Sequence, residues 1–228
     1  MLAVYASTGL ALLGSWLWYE PGHELWQALD EHTFRCLNGS LAEPGLWQTF
    51  WALANSRLAD ALPAALLLLP FAHWMAADER RHWRARAGIG VTLALFTLLW
   101  NQQIVKPWLD RGRWSPTLAL PDPVRLEQEP TVAWVPWVKD HAEHSFPGDH
   151  AGVFILVTLV IGHVCGWRRA WPALVALPFL MLPRLFGGGH WLSDQIVGGG
   201  FVGLVGAALF LGLLRLGQGF RERRAAAA

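Results

Sequence analysis

The run Arg184-Leu-Phe-Gly-Gly-Gly-His190-Trp-Leu-Ser-Asp194 sets an arginine, a histidine and an aspartate between two apolar stretches. If Gly187 to Gly189 break a helix, His190 and Asp194 fall four residues apart on one face of the helix that follows. A carboxylate at that spacing holds an imidazole in one tautomer and raises its basicity. Arg184 adds a permanent charge suited to a phosphate oxygen. The chemistry this points to is a histidine nucleophile aimed at phosphorus. Two further clusters extend it: Lys106-Pro-Trp-Leu-Asp-Arg-Gly-Arg113, and Ser145-Phe-Pro-Gly-Asp-His150 just before an apolar run. Lys106, Arg113 and Arg184 would neutralise the oxygens of a phosphoryl-transfer transition state. One histidine would attack and the other would protonate the leaving oxygen. Gly148 is expected to offer backbone N–H groups to the phosphate at the start of the next span. Singly, each residue has an ordinary explanation: an edge cation anchors topology, an interfacial histidine is merely polar, and three glycines make a turn. Their convergence on one side of a membrane is what favours catalysis.

The elements that must position these residues are apolar helices. The chain of 228 residues is 54% hydrophobic and 15% charged, where soluble domains average about 25% charged. Apolar runs at Leu2–Trp18, Leu58–Trp74, Gly88–Val105, Ala151–Cys165, Trp171–Phe186 and Ile196–Leu214 predict an all-α, polytopic membrane bundle of six transmembrane helices. Leu2–Trp18 lacks a basic start and a small-residue cleavage site, so it reads as a first span rather than a removed signal peptide. The segments Arg80–Arg86, Arg168–Arg169 and Arg215–Arg224 hold ten of the 18 basic residues, and the positive-inside rule makes their side cytoplasmic. Both termini are then inside, and residues 19–57, 106–150 and 187–193 face the periplasm of a bacterial inner membrane, carrying the active site with them. The 15 tryptophans, among them Trp16, Trp18, Trp74, Trp100, Trp167 and Trp171, are expected to form an interfacial belt. Residues 22–38 are amphipathic and suited to lie on the outer membrane surface. Cys36 and Cys165 fall on opposite sides and have no metal-ligand spacing. A single membrane domain over residues 1–228 is expected, with membrane lipids and no nucleic acid as partners.

The spacing K-x6-R, P-x-x-H and R-x5-H-x3-D resembles the type 2 phosphatidic acid phosphatase superfamily, whose usual text is K-x6-R-P, P-S-G-H and S-R-x5-H-x3-D. This chain departs at Trp114, at Gly148-Asp149 and at Pro183, losing hydroxyl contacts to phosphate while keeping the titrating and cationic residues. Phe146-Pro-Gly-Asp-His150 and Pro183-Arg184 resemble the lipid A 1-diphosphate synthase subgroup, as do Ala54-Asn-Ser-Arg57 with Asp60, Asn101-Gln102 and Ser115-Pro-Thr-Leu118. The resemblance implies a bundle with an external active site and no cofactor or metal. It implies transfer of the distal phosphate of undecaprenyl pyrophosphate to lipid A through a phosphohistidine. His190 would be the nucleophile, Asp194 its orienting partner and His150 the general acid, with Lys106, Arg113, Arg184 and Gly148 binding phosphate. Asp149 would pair with a nearby arginine or help to activate the acceptor, and Arg111 is a weaker phosphate contact. Arg57 with Asp60 is either a structural pair or a contact to lipid headgroups. Hydrolysis of a lipid phosphate and non-catalytic binding or transport of one remain the alternatives.

Overall fold

Long apolar stretches without internal charge become helices here, and the polar stretches between them fold into a cap at one end. The computed structural model of the chain describes residues 1–76 and 83–227, with side chains except at 221 and 224–227. Among the described residues, ten α-helices run in order: α1 (Leu2–Leu17), α2 (Glu20–Gly39), α3 (Leu46–Ala54), α4 (Ala61–Ala76), α5 (Trp83–Leu98), α6 (Lys106–Leu109), α7 (Pro116–Ala119), α8 (Asp149–Val164), α9 (Trp167–Phe186) and α10 (Gly200–Ala227). Among the described residues the only β pairing is an isolated antiparallel bridge, Ser56 to Val138. The all-α class is therefore as expected.

Among the described residues, three continuous helical segments are long and apolar enough to cross a membrane: Arg57–Ala76, Trp83–Leu109 and Asp194–Phe220. Six such helices were expected. Leu2–Leu17 and Asp149–Val164 are apolar but have 16 residues each, which is about 24 Å of helix against a hydrocarbon core of roughly 30 Å. Trp167–Phe186 is long enough but carries Arg168, Arg169 and Arg184 with prolines at 172, 178 and 183.

The segment Asp194–Phe220 is the axis of the bundle and is largely buried, with α1 and α8 packed along α10. Small residues allow the close approach: a Cβ on Gly203 would lie 2.4 Å from Ile155 Cβ, and one on Gly152 2.6 Å from Val202 Cβ. The core joins Leu13, Phe146, Leu156, Val160, Val197 and Phe210. Trp16 and Trp100 depart from the expected belt. Trp16 stacks on Phe146 at 4.4 Å, and Trp100 donates its indole N–H to the Val202 carbonyl at 2.9 Å. Trp18, Trp167 and Trp171 stay exposed. Of the basic segments, Arg80 and Arg81 lie outside the described residues.

Residues 19–57, 106–150 and 187–193, expected on one side, do pack together at one end. Asn38 donates from its amide to the carbonyls of Val124 and Phe186, both at 3.0 Å, and Trp51 stacks on Phe186 at 3.7 Å. The proline-rich 106–150 stretch is ordered by such contacts: Ser115 N–H donates to the Ala142 carbonyl at 2.9 Å, and Ser145 N–H to the Arg113 carbonyl at 2.8 Å. On α2 the buried residues are Gly22, Asp30, Phe34 and Asn38, while Leu25 and Leu29 face outward. The helix thus turns polar groups toward the protein and part of its apolar stripe away from it. Both cysteines are free thiols, Cys36 exposed and Cys165 buried.

Candidate active site

Each of the three glycines before His190 has its own reason. Gly188 takes a φ of 73°, which L side chains rarely adopt. A Cβ on Gly187 would lie 1.9 Å from Asn55 Nδ2, and one on Gly189 2.8 Å from the Lys139 carbonyl oxygen, so both admit neighbouring segments. The helix resumes only at Leu192 and passes through a π-helical turn, Asp194–Gly199, into α10. His190 therefore precedes the helix instead of riding on it.

The ring of His190 is held by a backbone group. Its Nδ1 lies 2.8 Å from the Ser145 carbonyl. A carbonyl only accepts, so Nδ1 carries a proton, and in the neutral ring the lone pair is then on Nε2. Asp194 Oδ2 stands 3.6 Å from Nδ1, too far for a hydrogen bond. The expected direct orientation of His190 by Asp194 is thus replaced by the carbonyl. Asp194 is occupied elsewhere: Oδ2 accepts the Trp191 N–H at 2.8 Å, capping the helix start, and Oδ1 accepts from Arg113 at 2.6 Å.

Arg113 is the clearest departure from expectation. It donates to Asp194 Oδ1, to Ser193 Oγ at 2.8 Å and to Asp30 Oδ2 at 2.7 Å. Its guanidinium sits over the rings of Trp16 and Trp191, 5.3 and 5.1 Å from their centroids. Asp30 in turn accepts Ser193 N–H and Oγ–H at 2.7 and 2.6 Å. Arg113 thus bridges two buried carboxylates and does not line the polar cavity beside His190. Gly148 is corrected likewise. Its N–H is spent on the Asp194 carbonyl at 2.8 Å, and a Cβ there would lie 2.6 Å from that oxygen. Close packing against Asp194 thus requires a glycine here, and Gly148 still borders the groove that His150, Arg184 and His190 line. Arg111 is exposed and borders none of the cavities described here.

His150 meets the site from the first turn of α8. Asp149 Oδ1 accepts from its Nδ1 at 2.8 Å and from its backbone N–H at 2.7 Å. Of the two expectations for Asp149, pairing with an arginine is not what forms; it pairs with His150. Burial pushes the Asp149 carboxyl up, but the hydrogen bonds from His150 and the charges of His150 and His190 outweigh it and hold it well below the usual carboxylate range. Asp149, His150 and His190 each offer a ligand atom, all within 4.8 Å of one another. The two histidines thus converge on one point.

A polar cavity of about 410 Å³ opens over that point, lined by Arg57, Lys106, Lys139 and Arg184 among others. Arg184 is buried and uses three donors, to the Asn55 carbonyl at 2.8 Å, Asn55 Oδ1 at 2.6 Å and Asp60 Oδ1 at 2.8 Å. Two of its five N–H groups remain. Lys139 stands 3.4 Å from Asp60 Oδ2. The Ser56–Val138 bridge delivers Arg57 and Lys139 together, through Arg57 N–H to the Trp137 carbonyl and Lys139 N–H to the Asn55 carbonyl, both at 3.1 Å.

With this arrangement in view, the relatives are informative. Lipid A 1-diphosphate synthase of Escherichia coli (strain K12) is 31% identical over 202 residues, 87% of this chain and 81% of that protein. The chain belongs to the lipid A 1-diphosphate synthase family. No family model and no solved structure matches it.

In this member of the lipid A 1-diphosphate synthase family, sequence reasoning missed Asp30, Lys139 and the Ser145 carbonyl. Asp30 had a readable cue, since Gly22, Asp30, Phe34 and Asn38 fall at multiples of four on one helix face. Lys139 and the carbonyl had none, because an irregular loop brings them in. Arg57 and Asp60 were left open between two roles. Asp60 serves the structural one, and Arg57 reaches the cavity. Two apolar grooves leave the site. One, about 340 Å³, passes Arg184 and Asp60 between α3, α4, α8 and α9. The other, about 290 Å³, lies between the helix after α5 and α8, lined by Asn101, Asp149 and His150.

Proposed function

We propose that the chain is a membrane phosphotransferase that moves the distal phosphate of undecaprenyl pyrophosphate to the 1-phosphate of lipid A through a phosphohistidine. The observation that carries this is the pair of imidazoles, each with Nδ1 engaged, converging under one cationic cavity. The lone pair of His190 Nε2 attacks the distal phosphorus. The bond to the bridging oxygen breaks, and His150 gives a proton to the departing lipid phosphate. An oxygen of the acceptor phosphate then attacks the phosphohistidine, and the P–N electrons return to His190. Arg57, Lys106, Lys139 and Arg184 neutralise the phosphate oxygens in both steps. The name of the relative supports lipid A as acceptor, and the apolar grooves beside the histidines suit lipid chains.

The topology belongs to the same proposal. Six crossings of the bacterial inner membrane, with both termini cytoplasmic, place the capped end in the periplasm. Leu2–Leu17 and Asp149–Val164 would complete their crossings with flanking residues, and the outward Leu25 and Leu29 of α2 would rest in the outer leaflet.

Reconstituted protein with donor labelled in its distal phosphate tests the reading. Label on lipid A is the expected result, while free phosphate alone, with or without lipid A, would make the protein a hydrolase. His190→Ala should abolish both turnover and acid-labile phosphoprotein. Full activity in that variant would remove His190 as nucleophile.

A further inference from the structure

The loop that carries His190 has little stiffness of its own. Three glycines open it, and helix does not form again until Leu192. Its internal hydrogen bonds tie it only to its own ends: Gly187 N–H donates to the Pro183 carbonyl at 2.9 Å, and His190 N–H to the Arg184 carbonyl at 3.2 Å. Where the imidazole sits therefore depends on what the loop rests against. Irregular segments grip it at two points, where Thr117 Oγ donates to the Gly188 carbonyl at 3.1 Å and the Trp191 indole to the Trp114 carbonyl at 2.8 Å.

The helix laid along the loop is α2, running in the opposite direction. Asn38, Phe34 and Asp30 follow one another at four-residue intervals on its inner face. Asn38 donates to the Phe186 carbonyl at 3.0 Å, where the loop begins. Phe34 covers the middle: a Cβ on Gly188 would lie 2.7 Å from its ring, and its centroid is 6.3 Å from that of Trp191. Asp30 closes the far end, with Oδ1 accepting Ser193 N–H at 2.7 Å and Oδ2 accepting Ser193 Oγ–H at 2.6 Å. The next residue, Asp194, accepts Gly148 N–H at its backbone carbonyl at 2.8 Å, two residues before His150. The turn that Asp30 holds is thus the common reference for both histidines. Asp30 is 1% exposed and does not line the polar cavity, so any effect on the reaction passes through these contacts.

We infer that α2 is a splint for the nucleophile, with Asp30 and Phe34 as positioning residues that set His190 against His150. The inference rests on the roles given to the two histidines above. A displacement of 1 Å between reacting groups can cost about a hundredfold in rate, and a glycine-rich loop freed at one end has that latitude.

Single-turnover formation of acid-labile phosphoprotein from labelled undecaprenyl pyrophosphate reads the positioning, with the rate taken per folded molecule. Asp30→Asn should lower that rate about thirtyfold or more while the half-saturating donor concentration changes less than about threefold. Phe34→Leu, which leaves the Asp30 contacts in place, should act in the same direction by a smaller factor. Phe210→Leu is the control. Phe210 is 1% exposed in α10 and about 24 Å along the helix from Asp194, so its loss should lower Tm and leave the rate per folded molecule near that of the parent. An unchanged rate in Asp30→Asn would overturn the inference, as would a loss that Phe210→Leu reproduces at an equal fall in Tm. If Asp30→Asn does not fold, Phe34→Leu against the same control decides. Phosphoprotein forms before lipid A or water is chosen, so label that never reaches lipid A removes the transfer reading and leaves this test intact. Turnover without phosphoprotein would end the phosphohistidine reading, and kcat of the same variants would then judge the splint.

Discussion

Replacing Arg113 by methionine should damage the fold rather than phosphate binding. The guanidinium serves Asp30 and Asp194, whose side chains are 1% and 0% exposed, through contacts of 2.7 and 2.6 Å. Removing one partner of a buried ion pair costs about 3–5 kcal/mol. Protonation sets a ceiling on that loss. At about 1.4 kcal/mol per pK unit, neutralising an ordinary aspartate at pH 7 costs about 4 kcal/mol, and at pH 5 about 1.5 kcal/mol. Asp30 should take the proton first, because burial already pushes its carboxyl above the usual range despite its contacts with Ser193 and Arg113. The sign follows. A carboxyl raised in the folded state is penalised as pH rises, so the deficit of the variant should be large at pH 7 and shrink by more than half at pH 5. Cys165 is buried and Cys36 exposed, so a thiol-reactive dye on a Cys36→Ser background reports unfolding of the core. The variant should unfold several degrees below its parent at pH 7, with the gap closing at pH 5, and Arg113→Lys should recover only part, since one ammonium cannot fork to two carboxylates. An unchanged midpoint together with a tenfold rise in KM for the donor would refute the reasoning and return Arg113 to the phosphate.

Two further outcomes follow from the Asp149–His150 contact. The Asp149 carboxyl is held low, so its stabilising contribution is complete above about pH 4 and is lost only as pH falls further. Asp149 therefore stays ionised across pH 5–9, and Asp149→Asn should move the alkaline limb of kcat/KM to lower pH by roughly one unit; an unmoved limb would detach Asp149 from the acid step. Added Zn²⁺ should inhibit, with reversal by chelator, because Asp149, His150 and His190 each offer a ligand atom within reach of one ion; stimulation by Zn²⁺ would instead make the cluster a working metal site.

Much of the site was readable because its titrating residues lie in short motifs at helix ends. His150, His190 and Lys106 do line one cavity, as their placement at the ends of apolar runs suggested. Spacing misled where a side chain's partner comes from far away in the chain. Asp194 stands four residues from His190, yet a capping N–H and Arg113 claim its oxygens, and a carbonyl 45 residues away in sequence takes the imidazole. Arg113 looked like a phosphate ligand because its carboxylate partners sit on α2 and beyond α9, which no local pattern connects. Periodicity marked the helical regions but not which of them reach membrane length, since capping and chain breaks at Gly148 and Gly166 set the ends of α8.

The two histidines are alike in sequence, and their surroundings assign them different work. His190 gives its Nδ1 proton to a neutral carbonyl at 2.8 Å, and the charge of the nearby Asp194 is already answered by Arg113. With Nδ1 donating, the neutral ring has its lone pair on Nε2, which is what the proposed nucleophile needs. His150 has a carboxylate at the same distance, and among the described residues Asp149 Oδ1 accepts from the ring and the backbone N–H of His150. The proposed acid and the proposed nucleophile thus differ in the kind of oxygen each Nδ1 meets. The carboxylate of Asp149 makes that difference, so in the proposed reaction it distinguishes the surroundings of the acid from those of the nucleophile.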